Sequence, residues 1–228
     1  MLYNDDAVFV HVPKTGGQSI EELIGQIWNG YGDQHEPLFT LEKNNPEIKR
    51  NKFCFGFVRN PFDLEVSNYI WHTRTNSQVA VDSFDDWIKW RYYEQTGILT
   101  YDDFRDKDEY WYLKGFAKNP QVGFFVNPAG DWLVDFVGRF ETLKEDWEFI
   151  SNKLNLPKEL PHVGKTFKKK DYRLYYKNAE TVDIITEAHK IDLDVFNYDF
   201  EKGMTSKEIN KDIPIHIHIH HNYNYYYG

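Results

Sequence analysis

The chain opens with a short apolar run and carries a second one some 45 residues later, and the spacing of apolar residues changes after each. Residues 7–12 and 53–58 are mostly β-branched or aromatic, which is typical of strands buried on both faces of a sheet. After the first run the apolar positions follow the period of an amphipathic helix, at Ile20, Leu23, Ile24, Ile27 and Trp28. The sequence therefore predicts a strand, a tight turn and a helix, with a second strand-to-helix unit further along.

The remaining pattern predicts more helix than strand. Helices are predicted over residues 62–72, 83–93, 142–154 and 179–190. Pro61 suits the first turn of the first of these, and Ser83 suits the N-cap of the second. Residues 122–126 and 132–137 are predicted to pair as a hairpin. Residues 29–51 are polar and rich in Gly and Pro, so the pattern predicts a loop there.

A chain of 228 residues without a strong linker fits one domain, predicted over 1–212, followed by a His- and Tyr-rich tail over 213–228. Within the tail, residues 215–221 alternate Ile and His, which places the histidines on one face of a strand. Such a cluster can bind metal, but a sticky edge strand or a poorly ordered terminus is the favoured interpretation. We therefore assign no metal site.

The total charge and the single cysteine limit the classes of partner. The net charge is −9 at pH 7, which disfavours generic binding to nucleic acid or to an anionic membrane, although a local phosphate site remains possible. Cys54 is the only cysteine, so no disulfide can form within the chain. Because the sequence shows neither a signal-peptide pattern nor a long apolar span, we expect a cytoplasmic protein without membrane or nucleic-acid partners.

The first strand-to-helix turn has the composition of an anion site. A helix start presents free backbone N–H groups and a partial positive charge. Gly16 and Gly17 allow close approach of the backbone to a phosphate, and Lys14 adds a full positive charge. Thr15 and Ser19 offer hydroxyl groups. In the common phosphate-binding loop the lysine follows the last glycine, whereas here it precedes both, which argues against an ordinary nucleoside triphosphatase.

The second strand-to-helix unit offers a further pair of polar groups. Arg59 follows the strand directly, and Ser67 lies about two turns into the next helix. Both can face the crevice beyond the strand ends, where ligands bind in open α/β sheets. A guanidinium and a hydroxyl are suitable partners for a phosphate monoester. Either residue alone would more often belong to an ordinary solvated surface.

Together these motifs resemble the donor-binding segments of the sulfotransferases. The first, His11-Val12-Pro13-Lys14-Thr15-Gly16-Gly17, is similar to the 5′-phosphosulfate loop of the carbohydrate-type branch. The second, Phe57-Val58-Arg59-Asn60-Pro61-Phe62-Asp63 with Val66-Ser67-Asn68-Tyr69, resembles the 3′-phosphate-binding segment, although relatives often carry an arginine where this chain has Leu64. A weaker similarity covers Gly138-Arg139-Phe140-Glu141-Thr142-Leu143 and the segments around 160–176. The resemblance extends over most of residues 7–200.

The resemblance implies a fold, a donor and a set of binding residues. The fold would be α/β, a three-layer α/β/α sandwich like that of the P-loop NTPases, with a central parallel sheet of about four to five strands. The donor would be 3′-phosphoadenosine-5′-phosphosulfate (PAPS), with PAP as product and without a metal requirement. The residues implied in binding it are Lys14, Thr15, Gly16, Gly17, Gln18, Ser19, Arg59, Ser67, Lys165, Thr166 and Lys168.

Sulfuryl transfer also needs a base and an acceptor. His35 lies in the interval where relatives place a histidine, so we expect it to be the general base, with Lys14 as the catalytic cation. Glu36 and Asp33 are weaker candidates for the base. His162 could orient a closing loop. The acceptor would be a small molecule or glycan, most simply a sugar hydroxyl. A P-loop-like nucleotide kinase and a non-catalytic phosphonucleotide-binding module are the alternatives.

Overall fold

The structure is a computed structural model, and it describes residues 1–32, 35–45, 48, 51–75, 81–92, 120–163 and 170–215. Its central sheet has five strands in the spatial order β3-β1-β2-β4-β5. A separate two-stranded ribbon, β6-β7, follows late in the chain. The strands are β1 Leu2–Tyr3, β2 Ala7–Val10, β3 Gly30–Tyr31, β4 Phe53–Val58, β5 Phe136–Arg139, β6 Tyr198–Asp199 and β7 Gly203–Met204.

The three central strands of the sheet are parallel. In register, Val10 of β2 lies beside Gly56 of β4, and Val58 of β4 lies beside Arg139 of β5. The short strands β1 and β3 extend one edge in antiparallel fashion. Because the parallel strands end at one edge of the sheet, the residues that follow β2, β4 and β5 come together there.

Seven helices accompany the sheet within the described residues. They are α1 Gly17–Ile24, α2 Leu38–Asn44, α3 Pro61–Thr75, α4 Phe84–Tyr92, α5 Leu143–Leu154, α6 Ala179–Ala188 and α7 Lys190–Phe196. Short 3₁₀ turns at Gln121–Phe124, Phe140–Thr142 and Tyr172–Leu174 join them. None of the described helices is long and apolar enough to cross a membrane.

The two faces of the sheet are covered by different helices. Alternate residues of β2 and β4, such as Val10 and Val58, pack with α2, α7 and the segment 122–126. The intervening residues, such as Phe9 and Phe57, pack against α1 and α5. Helices therefore lie on both faces, and the expected three-layer α/β/α fold is confirmed.

A third apolar cluster holds the helices beyond the sheet edge. Phe62 and Val66 of α3 pack with Phe84 and Trp87 of α4 and with Ile185 of α6. These residues are almost fully buried. The cluster fixes one face of α3 and leaves the opposite face turned toward the carboxyl ends of the strands.

The predicted hairpin forms only at its tip. Residues 121–124 form a 3₁₀ turn, and an isolated antiparallel bridge joins Val126 to Trp132. Beside this bridge, the N–H of Asn127 donates to the carbonyl oxygen of Asp131 at 2.9 Å, and the N–H of Leu133 donates to that of Phe125 at 2.7 Å. The chain then continues into β5, which pairs in parallel with β4. The N–H groups of Gln121 and Val122 donate to the buried carboxylate of Asp192, at 2.8 and 2.9 Å. That distant carboxylate satisfies the first N–H groups of the 3₁₀ turn, which takes the place of the start of the predicted strand.

Other elements were predicted with partial success. The helices at 62–72, 83–93 and 142–154 are confirmed, and the Ser83 hydroxyl accepts the N–H of Asp86 at 3.1 Å, as an N-cap does. The predicted helix over 179–190 ends at Ala188, and α7 begins two residues later. The region predicted as loop contains α2. Most of the His- and Tyr-rich tail lies outside the described residues.

Candidate active site

A cavity of about 630 Å³ lies at the carboxyl ends of β2, β4 and β5. This volume is in the usual range for small-molecule sites. Eight of the residues predicted from the sequence line it: Lys14, Gly16, Gly17, Gln18, Ser19, His35, Arg59 and Ser67. The predicted residues Lys165, Thr166 and Lys168 lie outside the described residues. The cavity thus gathers the described part of the predicted site, with one exception.

That exception is Thr15, which supports the turn from behind. It is 1% exposed, and its hydroxyl donates to the carbonyl oxygen of Val12 at 2.8 Å. The backbone around it is strongly bent, with φ of 62° at Lys14 and 86° at Gly16. Glycine adopts a positive φ easily, whereas lysine does not, and the hydrogen bond of Thr15 helps to hold Lys14 in this conformation. The turn is therefore built to present Lys14 and the start of α1 to the cavity.

Gly17 makes room for a histidine beneath the turn. A Cβ at Gly17 would lie 2.1 Å from the ring of His11, far inside contact distance. The His11 ring is 2% exposed, and its Nδ1 lies 2.8 Å from a carboxylate oxygen of Glu21 on α1. His11 therefore ties the end of β2 to α1, and only glycine fits between them.

Lys14 is held close to other groups of the site. Its ammonium lies 5.4 Å from the centre of the Trp71 ring, a cation–π distance. Burial, together with the nearby charge of Arg59, lowers the pKa of Lys14 from 10.5 to about 8. The ammonium therefore remains mostly protonated at neutral pH and loses its charge in mildly alkaline solution.

Arg59 is anchored by the protein before any ligand arrives. Its Nε and Nη2 atoms each lie 2.7 Å from Oδ2 of Asp63, and its Nη1 donates to the carbonyl oxygen of Lys14 at 2.9 Å. The guanidinium also stacks on Phe140 at 4.0 Å. The backbone of Arg59 exchanges two hydrogen bonds with the Gln121 side chain, at 2.9 and 2.8 Å. A fixed cation thus stands at the end of β4, linked to the turn after β2.

His35 approaches the cavity from the loop before α2. Its Nδ1 lies 3.0 Å from the carbonyl oxygen of His11. Because a carbonyl can only accept, Nδ1 carries the proton, and Nε2 is then the basic nitrogen. Burial, followed by the neighbouring His11, lowers the pKa of His35 from 6.5 to about 4. The imidazole is therefore neutral near pH 7 and able to accept a proton. Of the two weaker candidates, Asp33 lies outside the described residues and Glu36 is not among the cavity-lining residues.

One face of α3 forms a wall of the cavity that sequence reasoning did not anticipate. The lining residues are Leu64, Ser67, Asn68, Trp71 and His72, at the spacing of a single helix stripe. Because Ser67 was assigned to the site, the helical period alone would have predicted that the residues three and four positions away from it also face the cavity.

A buried polar network closes the far end of the cavity. Arg91 at the end of α4 lies 3.0 Å from Glu65, and both side chains are nearly inaccessible. The Tyr92 hydroxyl is 2.8 Å from Nε2 of His189, which also lines the cavity. No sequence motif marks these residues, because the network joins segments about a hundred positions apart.

The segment before the predicted closing loop reaches the first turn. Residues His162 and Val163 line the cavity, and the Val163 N–H lies 3.4 Å from the hydroxyl oxygen of Ser19. This contact brings the chain to the mouth of the site immediately before residues 164–169. Among the described residues, no group of three or more His, Cys, Asp or Glu side chains is arranged to hold a metal ion.

Comparison with known proteins gives one match. A family model described as "Sulfotransferase family" matches residues 3–199. The match spans β1 to β6 and includes every described residue of the cavity. No curated protein and no solved structure matches the chain.

Proposed function

This chain belongs to the sulfotransferase family, and we propose that it transfers a sulfuryl group from PAPS to an acceptor hydroxyl, with a carbohydrate as the most natural acceptor. The observation that carries the proposal is the pairing of two cationic centres at adjacent strand ends. Lys14 follows β2, Arg59 follows β4, and a hydrogen bond of 2.9 Å joins them. A 3′,5′-bisphosphate donor requires two such anion sites side by side.

The turn after β2 suits the 5′-phosphosulfate of the donor. Gly16 and Gly17 bring backbone N–H groups to the cavity at the start of α1, where the helix dipole favours an anion. Lys14 adds a charge that is present at neutral pH. We assign to this cation the role of stabilising the negative charge that develops on the leaving phosphate. Such preorganised groups stabilise a transition state strongly in a site without water.

Arg59 and Ser67 suit the 3′-phosphate. The bonds from Arg59 to Asp63 and to the Lys14 carbonyl use three of the five guanidinium N–H groups. The side chain still lines the cavity, as does Ser67. Since Arg59 is already fixed by these bonds, little conformational entropy is lost when it binds a phosphate. Leu64 occupies the position where relatives often carry an arginine, so Arg59 carries this phosphate site here.

We assign His35 as the general base. Bound PAPS supplies an activated sulfuryl group. The acceptor oxygen forms a new bond to sulfur, the bond between sulfur and the bridging oxygen breaks, and PAP leaves with that oxygen on its 5′-phosphate. In that reaction Nε2 of His35 removes the acceptor proton, and Nδ1–H stays bonded to the His11 carbonyl. A neutral imidazole is the required starting state, and the low pKa of His35 provides it.

The first test is calorimetric titration of the protein with PAP and, separately, with ATP and Mg²⁺. It is followed by measurement of transfer from radiolabelled PAPS to methyl β-glucoside, a neutral oligosaccharide, p-nitrophenol, hexan-1-ol and a glucosamine oligosaccharide. We expect PAP to bind and ATP to bind more weakly. Binding of ATP with Mg²⁺ and none of PAP would contradict the proposal and favour a kinase.

Two variants separate catalysis from binding. His35→Asn is expected to retain PAP affinity within about threefold and to lose transfer by about 10²- to 10⁴-fold. Lys14→Met is expected to weaken PAP binding by more than about tenfold. Lys211→Met is the matched control, because Lys211 also lies 5.4 Å over a tryptophan ring, that of Trp132, outside the cavity. A protein that binds PAP but transfers to no acceptor would be a binding module.

A further inference from the structure

The last turn of α3 presents two aromatic rings to the cavity beyond the predicted donor groups. Trp71 is 42% exposed and lines the cavity, and His72 beside it is 4% exposed and lines it too. Five residues separate His72 from Ser67, a rise of about 7.5 Å along the helix. The two rings thus lie well past the residues assigned to the 3′-phosphate.

The position of Lys14 relates this pair to the reacting group. Its ammonium lies over the Trp71 ring at 5.4 Å, and its charge also acts on the His72 imidazole. Lys14 marks the end of the cavity at which the sulfuryl group is transferred. Trp71 and His72 therefore lie where the acceptor has to enter.

The His72 side chain has unused hydrogen-bonding capacity. Its ring stacks on Trp87 at 5.1 Å, which fixes its orientation. Among the described residues its Nδ1 is buried and has no hydrogen-bond partner. A buried polar atom without a partner is costly, so such an atom in a cavity wall points to a ligand that completes it.

We propose that Trp71 and His72 form the acceptor subsite, and that the acceptor is a neutral compound whose hydroxyl is carried on a six-membered ring, a sugar or a phenol. The inference rests on the proposed sulfotransferase activity. Trp71 supplies an apolar face against which such a ring stacks. His72 supplies a hydrogen bond that holds the acceptor for attack.

The side chains of the pair themselves place no charge against the acceptor. Burial, followed by the charges of Arg91 and Lys14, lowers the pKa of His72 from 6.5 to about 3, so its imidazole carries no charge at neutral pH. The guanidinium of Arg91 is compensated by Glu65 at 3.0 Å. The pair thus recognises a ring and a hydroxyl without requiring a charge on the acceptor.

The test compares acceptor and donor parameters in matched variants. With saturating PAPS, Trp71→Leu and His72→Phe are expected to raise the KM for ring acceptors about tenfold, equivalent to about 1.4 kcal/mol. The Kd for PAP is expected to stay within about threefold. Trp71→Phe, and the better of His72→Asn and His72→Gln, are expected to recover most of the acceptor affinity. Trp132→Leu is the control, because Trp132 lies away from the cavity and pairs with Lys211 in the same way.

The acceptor probes distinguish the possible outcomes. The KM for p-nitrophenol and for methyl β-glucoside identifies the ring class, and hexan-1-ol, which has no ring, is expected to be insensitive to Trp71→Leu. An unchanged KM for ring acceptors, or an equal loss of PAP affinity, would overturn the subsite while leaving the transferase activity in place. Absence of both PAP binding and transfer in the unmodified protein would instead overturn the function itself.

Discussion

At the scale of single residues, the site depends on two ionisable groups whose pKa values are displaced by burial. His35 is held neutral, with a pKa of about 4, and Lys14 remains protonated until about pH 8. They are 21 positions apart in the chain and lie against one cavity because His35 bonds to the end of β2. The two pKa values set the pH range in which His35 is neutral and can act as a base while Lys14 is still protonated.

The first residue-scale prediction concerns the pH dependence of transfer. Between pH 7.5 and 5.5 we expect kcat/KM, corrected for the pH dependence of PAP binding, to change less than about twofold, because His35 is still neutral there. A histidine with an ordinary pKa of 6.5 would lose about tenfold over this range. Above about pH 8, PAP affinity should fall as Lys14 deprotonates. Lys14→Arg should remove this alkaline loss, since a guanidinium stays protonated. An acid limb centred near pH 6.5 would contradict the lowered pKa of His35.

The sequence predicts some of these residues and not others, for a physical reason. Lys14, Gly16 and Gly17 can be predicted because the groups that make an anion site at the turn are neighbours in the sequence. Arg59 can be predicted because it directly follows a predicted strand. His72 joins the site because Phe62 and Val66 pack α3 into an apolar cluster with Trp87, against which the His72 ring stacks. That choice of face is a tertiary event, and no local pattern reports it.

At the scale of elements, the junction of β2 and α1 is tightly constrained. The strand ends at Val10, immediately before His11, the chain reverses through two residues with positive φ, and the helix begins at Gly17 directly against the His11 ring. The helix start, the lysine and the histidine therefore share one rigid arrangement. A substitution that distorts this junction should therefore affect donor binding more than it affects the rest of the fold.

The element-scale prediction is that Gly17→Ala disrupts this junction. A Cβ at 2.1 Å from the His11 ring forces the ring or the helix to move, so we expect loss of PAP binding by more than about tenfold and destabilisation of about 1–3 kcal/mol. Gly32→Ala is the control, because the nearest atoms to its Cβ would be side-chain atoms at 3.2 Å or more, compared with 2.1 Å at Gly17. Chemical denaturation and calorimetry measure the two effects. Equal behaviour of the two variants would contradict the packing constraint.

The incomplete hairpin shows where element prediction stops. Residues 122–126 and 132–137 have strand composition, yet residues 122–124 belong to a 3₁₀ turn whose first N–H groups are bound by Asp192, about seventy residues away. Gln121, at the start of the same turn, bonds to the backbone of Arg59 and so helps to position the site. Local pairing is kept only around Val126 and Trp132, and the end of the second segment joins the parallel sheet as β5.

At the scale of the whole molecule, the charge of the site is opposite to that of the chain. The net charge is −9, yet the described residues that line the cavity include Lys14, Arg59 and Arg91 and no Asp or Glu. The carboxylates of Asp63 and Glu65 fix two of these cations from behind. The net negative charge of the chain is therefore compatible with a specific anionic donor, because the cavity has its own local charge.

The buried histidines of the cavity should also make the whole fold sensitive to acid. The pKa values of His35 and His72 in the folded state are about 4 and about 3, below the 6.5 of an unfolded chain. Between about pH 6.5 and 4 the unfolded chain therefore binds more protons, and the free energy of unfolding should fall as the pH is lowered. Each group contributes at most about 1.4 kcal/mol per pH unit.

Denaturant unfolding of the unmodified protein and of His72→Phe, measured at intervals from pH 7 to pH 4.5, isolates this contribution. We expect the free energy of unfolding of His72→Phe to depend less steeply on pH, because one buried imidazole no longer has to stay unprotonated. Phe125→Leu is the control: it removes packing from a fully buried ring and lowers stability without changing the number of titrating groups. Parallel pH curves for all three proteins would show that His72 is protonated as readily in the fold as in water. The lowered pKa assigned to His72 would then be wrong.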